Sequence, residues 1–260
     1  MIKHRLNTAL LISGGGSTAT AIMKASRAGR LDIRPVIVIA NHPKAGGLKK
    51  AKQLGVETKV INPQGQGFGH RLLQTFEEYQ VGLVSQNGWL PLTPAKVVEK
   101  YPERIINQHP GPLDPGRPDF GGKGMYGARV ACARLAYLSL LAGKNELTKK
   151  DYWTEATTHF VTPEYDKGQI IKTIKLNLAN EFPFEKLSDL ITNERLLINA
   201  TQKVQSVLIG LEHQLVIDTL QYLSAEKRIS DIQKKPLIPK QNVSILNQAK
   251  QLAIKLFPKG

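Results

Sequence analysis

Asn107 and His109 stand two residues apart at the end of a short apolar run, Ile105-Ile-Asn-Gln-His-Pro-Gly111. On an extended chain alternate residues face the same way, so the carboxamide and the imidazole project together. That pair is suited to holding the oxyanion of a tetrahedral carbon, and an imidazole takes up or loses its proton near neutral pH. The same two residues could instead cap loop backbone where a strand ends. A carboxylate, Asp166, lies in His159-Phe-Val-Thr-Pro-Glu-Tyr-Asp-Lys-Gly168. Placed beside His109 it would raise the imidazole pKa and accept or relay a proton. Glu164 is the rival carboxylate and reads as a solvated turn residue, while His159, among apolar strand neighbours, reads as structural.

Ser13-Gly-Gly-Gly-Ser-Thr18 joins a strand to a helix. Its glycines permit close backbone approach, and the amides opening the helix could bind an anion. It matches neither a P-loop nor a dinucleotide GxGxxG, and it could equally be a plain turn. The lone cysteine, Cys132, excludes an intramolecular disulfide and multi-cysteine zinc sites. No metal-ligand spacing appears, and Cys132 itself reads as a buried, inert thiol.

Alternating strands and helices must position these groups. Strands are expected at 8–13, 34–41, 57–62, 81–85 and 104–108, with helices at 17–29, 45–55, 71–80 and 94–101 between and after them. The apolar continuity of Arg34–Asn41 is that of a strand covered on both faces. The expectation is an α/β fold: a doubly wound, mostly parallel Rossmann-like sheet with helices on both faces. After a Pro- and Gly-rich break at 110–127 come a helix over 126–142 and a hairpin-like strand pair, 156–162 and 169–178. Helical periodicity over 185–223, a linker at Pro236–Pro239 and an amphipathic helix at 243–256 complete a helical C-terminal extension. A catalytic domain over 1–210, with an insert at about 112–155, and a basic extension over 211–260 are expected.

Across 260 residues the net charge is +15, which favours anionic ligands, phosphorylated metabolites, folates or nucleic acid among them. The charge is spread out and reads as a solvated basic surface, densest after Ala225. No signal peptide follows the basic Met1–Leu6, and no apolar run is long enough to span a membrane. A cytoplasmic protein is expected.

The ordered set Leu11-Ile-Ser-Gly-Gly-Gly-Ser17, Arg104-Ile-Ile-Asn-Gln-His-Pro110 and His159-Phe-Val-Thr-Pro-Glu-Tyr-Asp-Lys-Gly-Gln-Ile-Ile171 resembles the glycinamide ribonucleotide formyltransferase family. The resemblance implies transfer of formyl from 10-formyltetrahydrofolate to a phosphorylated amine, without a metal. It implies that Asn107 holds the formyl oxygen, that His109 is general acid/base and oxyanion stabiliser, and that Asp166 keeps His109 charged. Gly15, Gly16, Ser17 and Thr18 would meet the acceptor's phosphate, and Glu194 the acceptor's ribose or amine side. Trp89, Leu90 and Leu92 would line the folate pocket with Thr162, Glu164 and Tyr165.

Departures are specific. The family's Gly-Asn-Gly-Ser-Asn is Gly14-Gly-Gly-Ser-Thr18, and its arginine near the folate loop has no counterpart in Gly88-Trp-Leu-Pro-Leu92. The stretch between His109 and His159 is longer than the family's, and the chain runs on past the family's usual end. The same core serves other acceptors: water in formyltetrahydrofolate deformylases, methionyl-tRNA in another branch, or a nucleotide-sugar amine. The tRNA branch carries a C-terminal β-barrel, whereas the residues after Leu178 read as helical. A folate- or nucleotide-binding module without catalysis is the remaining alternative. The oligomeric state is not encoded in these motifs.

Overall fold

A computed structural model describes residues 5–181, 187–225 and 235–260. Its strands are β1 (Leu6–Ile12), β2 (Ile33–Ala40), β3 (Glu57–Val60), β4 (Leu83–Gln86), β5 (Ile105–His109), β6 (Trp153–Phe160) and β7 (Ile170–Asn177). They form one seven-stranded sheet in the order β3-β2-β1-β4-β5-β6-β7. Strands β1 to β5 pair in parallel, and β6 and β7, neighbours in the sheet, are connected by residues 161–169. The order reverses between β1 and β4, and ligands in such sheets bind beyond the carboxyl ends of strands near that point. The expected doubly wound fold is present.

The chain divides into two compact units. The first comprises the described residues of Met1–Gln108, Thr158–Ile171 and His213–Ser230. Alternation along its strands separates two apolar cores. Leu10 and Ile12 of β1 join Val38 and Ala40 of β2 in one core with Ile22 of α1 (Ser17–Arg27) and Ala51 of α2 (Gly47–Gln53). Ala9 and Leu11 join Ile37 and Ile39 in the other, with Leu72 and Phe76 of α3 (Phe68–Glu78) and Val97 of α4 (Ala95–Lys100). A sheet covered on both faces demands this apolar continuity.

The second unit comprises the described residues of His109–Thr157, Lys172–Glu212 and Asp231–Gly260. Its core joins α5 (Ala128–Gly143), the first half of α6 (Glu194–Ser224) and α7 (Val243–Leu256). Helix α5 is buried over nearly its whole length, so its sequence is apolar all round rather than striped. Two arginines are the charged exceptions, Arg129 in its first turn and, further along, Arg134. The Arg134 guanidinium donates to the Trp153 and Asp151 carbonyls (2.9 Å each) and lies over the rings of Phe120 and Trp153. Burial pulls its pKa down to about 10, which leaves it charged at neutral pH. Cys132 is fully buried, and burial pushes its thiol up to about 11.

Several boundaries differ from expectation. Strand β6 starts and ends earlier than 156–162, and beyond its end the Val161 amide still donates to Ile105 of β5. The helix expected from 185 begins at Glu194. There Asn193 Oδ1 accepts from the Arg195 and Leu196 amides and caps it, while Ser188–Ile191 is a separate 3₁₀ turn. Part of that expected helix, 185–186, and the basic stretch 226–234 lie outside the described residues. The expected linker at Pro236–Pro239 is packed rather than free: Ile238 is buried in the second core. Among the described residues no helix is long and apolar enough to cross a membrane.

His213, on α6 within the first unit, gives the fold a pH dependence. Its Nε2 is buried without a hydrogen-bond partner, and burial lowers its pKa from the usual 6.5. The unfolded chain therefore binds the proton more readily. This group's contribution is fully present above about pH 6.5 and is lost as pH falls through the lower folded value. Thermal melts between pH 7 and pH 5 are expected to fall more steeply for the parent than for His213→Leu; equal slopes would refute the assignment.

Candidate active site

Three polar side chains of the first unit converge where β5 ends and the β6–β7 turn begins. Asn107 stands opposite Gln86 of β4 in the parallel register. Its Nδ2 lies 3.2 Å from His159 Nε2 and 3.4 Å from Asp166 Oδ1. His159 Nε2 and Asp166 Oδ1 are themselves 3.4 Å apart, and both residues are buried.

The hydrogen-bond partners assign the protons. His159 Nδ1 is 2.7 Å from the Phe160 carbonyl, which can only accept, so Nδ1 carries a hydrogen. In the neutral ring Nε2 is then an acceptor, and Asn107 must turn its NH₂ towards it. With both nitrogens protonated, the ring instead faces Asp166 as a cation.

The turn that delivers Asp166 is held by its backbone. Asp166 adopts φ 57°, a left-handed conformation that aspartate tolerates better than most residues. The Phe160 amide donates to Gln169 (3.0 Å), and the Val161 amide to Ile105 of β5 (2.8 Å). Gly168 packs directly on the Phe160 carbonyl, where a Cβ would collide.

These groups form one wall of a cleft of about 310 Å³, open solvent at its mouth included. Gln86, Trp89, Pro91, Leu92 and Thr93 line it from the β4 side, and Val161, Thr162, Glu164 and Tyr165 from the turn. The Tyr165 hydroxyl donates to the Leu90 carbonyl at 3.4 Å and links the two walls. Its pKa is raised, first by burial and then by the charge of Asp166. Gln86 Nε2 donates to Thr93 Oγ1 at 2.6 Å.

Of the residues expected to bind folate, Trp89, Leu92, Thr162, Glu164 and Tyr165 line this cleft. The Leu90 side chain is exposed and does not. Gln86 and Thr93 were not anticipated; the legible signal was a polar pair flanking a glycine turn at a strand end. His159, read as structural, joins Asn107 and Asp166 as well as bonding backbone. Its position seven residues before Asp166, across a turn, was the available hint. His109 is buried at the last position of β5, and its ring lies beside Gly111.

No residue of the glycine loop lines the cleft, but Ser13 adjoins its β4-side wall: its hydroxyl accepts from the Leu90 amide (2.9 Å) and its amide donates to the Gly88 carbonyl (3.1 Å). Gly16 has φ 63°, and a Cβ there would press on Gly47. The carbonyls of Ser13, Gly14 and Gly15 accept from His42 Nε2 (2.8 Å), the Gly47 amide (3.1 Å) and Lys50 Nζ (2.9 Å). In a trans peptide N–H points opposite to C=O, so the amides of Gly14, Gly15 and Gly16 turn away from that neighbouring loop. Ser17 is exposed, whereas the Thr18 side chain is buried and offers only its amide. Glu194 opens α6 in the second unit and accepts from Lys255 Nζ at 2.9 Å. Among the described residues no cluster of His, Cys, Asp and Glu is arranged to hold a metal.

A parallel sheet with polar groups gathered at a strand end defines an α/β protein with a ligand cleft at its carboxyl edge. The formyl transferase family matches residues 6–195, and the chain belongs to it. A chloroplastic phosphoribosylglycinamide formyltransferase of Arabidopsis thaliana is 30% identical over 74% of this chain and 62% of its own length. Its counterpart in Vigna unguiculata is 28% identical over 90% of this chain and 66% of its own. The chain thus spans about two thirds or less of these relatives. The crystal structure of glycinamide ribonucleotide transformylase 1 from Symbiobacterium toebii superposes with a TM-score of 0.65. It is 22% identical and covers 88% of this chain and 92% of that one, which is agreement of fold.

Gly168→Ala is expected to lose about 1–3 kcal/mol in denaturant melts, the usual cost of forcing an extra methyl into packed structure. Gly143→Ala, where the methyl meets open space, is expected to lose nothing. Equal stability of the two variants would show that the turn carrying Asp166 is loosely held.

Proposed function

We propose that this protein transfers a formyl group from 10-formyltetrahydrofolate to the amine of a phosphorylated small acceptor, glycinamide ribonucleotide first among them. The observation that carries the reading is the orientation of Asn107 in a formyl transferase cleft. A carboxamide nitrogen has two hydrogens. His159 Nε2 and Asp166 Oδ1 lie 3.2 Å and 3.4 Å from it, and in this reading a formyl oxygen takes over the longer of the two bonds.

In this reading the acceptor nitrogen bonds to the formyl carbon, and the carbonyl electrons move onto oxygen. Asn107 and His109, two apart on β5, stabilise that oxyanion. The bond from carbon to the folate nitrogen then breaks, and the proton lost by the amine reaches the departing folate nitrogen through His109, with Asp166 supporting its charge. The walls formed by Trp89, Leu92, Thr162, Glu164 and Tyr165 would seat the pterin. The amides of Gly15, Gly16, Ser17 and Thr18 would meet the phosphate. Glu194 would leave an exposed ion pair to meet the acceptor, at a cost of about 0–1 kcal/mol. A cytoplasmic location remains part of this proposal, although the two plant relatives are named as chloroplastic.

The test incubates the protein with 10-formyltetrahydrofolate and a panel of amines and records tetrahydrofolate release. Release with glycinamide ribonucleotide is expected, reduced about 10²- to 10³-fold in Asn107→Ala and abolished in Asp166→Asn. Release without any amine would replace the proposal with hydrolysis, and release only with methionyl-tRNA would replace it with RNA modification. No release, with folate still bound, would leave a binding module.

A further inference from the structure

Two stretches that the family resemblance leaves without a role meet in the second unit: the loop from Pro110 to Gly127, directly after His109, and the segment 235–260. Their contacts centre on two buried charged residues. Asp114 Oδ1 accepts from Arg117 Nε (2.9 Å) and Nη2 (2.6 Å), while its Oδ2 accepts from the Leu237 amide (2.8 Å). Arg129 Nη1 donates to the Gly124 carbonyl (2.8 Å), Nε to Phe257 (2.8 Å) and Nη2 to Pro258 (2.7 Å). Lys250 Nζ adds a bond to the Gly121 carbonyl at 2.8 Å. Within the loop, Asp119 accepts from the amides of Asp114 and Gly121.

The fastened loop leads back to the imidazole. A Cβ on Gly111 would collide with Val130, the neighbour of Arg129 on α5, and would lie 3.6 Å from His109 Nε2. Thr157 Oγ1 donates to the Gly111 carbonyl at 2.9 Å. Gly111 is therefore pinned between α5 and β6, with the ring of His109 against it. Charge-assisted bonds to several carbonyls from one planar guanidinium fix direction as well as distance.

We propose that Asp114 and Arg129 are positioning residues. They strap the loop after β5 to the C-terminal segment, and the strapped loop holds the His109 ring for proton transfer. The catalytic half of this inference rests on the proposed formyl transfer; the strap itself does not.

The chain and its variants Arg129→Ala, Arg129→Lys and Asp114→Asn are compared with Gln251→Ala, a change on the exposed face of α7. Three readings are taken: amide hydrogen exchange over 110–127, the His109 pKa by NMR, and kcat and KM for tetrahydrofolate release. Exchange is expected to accelerate about tenfold or more in Arg129→Ala. The His109 pKa is expected to move, and kcat to fall about 10- to 100-fold with KM for the folate little changed. Arg129→Lys is expected to be intermediate and Gln251→Ala to match the parent. Unchanged exchange over 110–127 would overturn the strap. Faster exchange with parental His109 pKa and kcat would overturn the positioning role. Should Arg129→Ala fail to fold, Arg129→Lys and Asp114→Asn decide by the same readings. A parent protein without turnover would refute the functional reading alone, leaving exchange and the His109 titration to decide the strap.

Discussion

A parallel sheet buried on both faces has no room for reactive side chains along its strands, and that constraint organises the first unit. From Ala9 to Ile12 on β1 and from Val36 to Ala40 on β2, every residue belongs to one apolar core or the other. An unpaired polar group there would cost free energy without return. Polar chemistry is therefore confined to strand ends, where the backbone turns away and side chains reach open space. Gln86 ends β4, Asn107 lies near the end of β5, and the two face each other in register. The turn after β6 supplies the remaining wall, because β6 hydrogen-bonds towards the sheet through Val161 before it departs.

The arrangement around Asn107 is selective because each partner limits the others. The Phe160 carbonyl sets the proton on His159, the imidazole sets the orientation of the amide, and the amide nitrogen also faces Asp166. A left-handed residue costs of order 1–3 kcal/mol unless its surroundings enforce it. Here the packing of Gly168 on Phe160 and the paired backbone on either side enforce it. Strain retained beside a cleft, with a buried carboxylate as its outcome, is what preorganisation for charge stabilisation requires.

Much of this was legible in the amino-acid sequence, for identifiable reasons. Continuous apolar runs and glycine turns marked the parallel strands, and the run from Ile105 marked Asn107 as a residue near a strand end. His159 was read as structural because its neighbours are apolar. A strand-borne histidine can satisfy backbone with one nitrogen and a site with the other, and sequence does not distinguish the two. The packing of Ile238 and Leu237 was hidden because Pro236 and Pro239 look like a linker, while their partner Asp114 lies more than a hundred residues away. The 3₁₀ turn before α6 was likewise invisible to periodicity, since Asn193 sets the helix start through a cap rather than through a hydrophobic pattern.

The proposed formyl transfer requires that the Asn107–His159–Asp166 group lie where the folate-borne formyl is received. The most direct measurement is the ¹⁵N NMR spectrum of the His159 imidazole during titration with tetrahydrofolate. In the free protein Nδ1 is expected to be the protonated nitrogen, with Nε2 shifting as ligand saturates the cleft and failing to shift in Asn107→Ala. Saturable folate binding that leaves both His159 nitrogens unmoved would place the ligand elsewhere and contradict the claim.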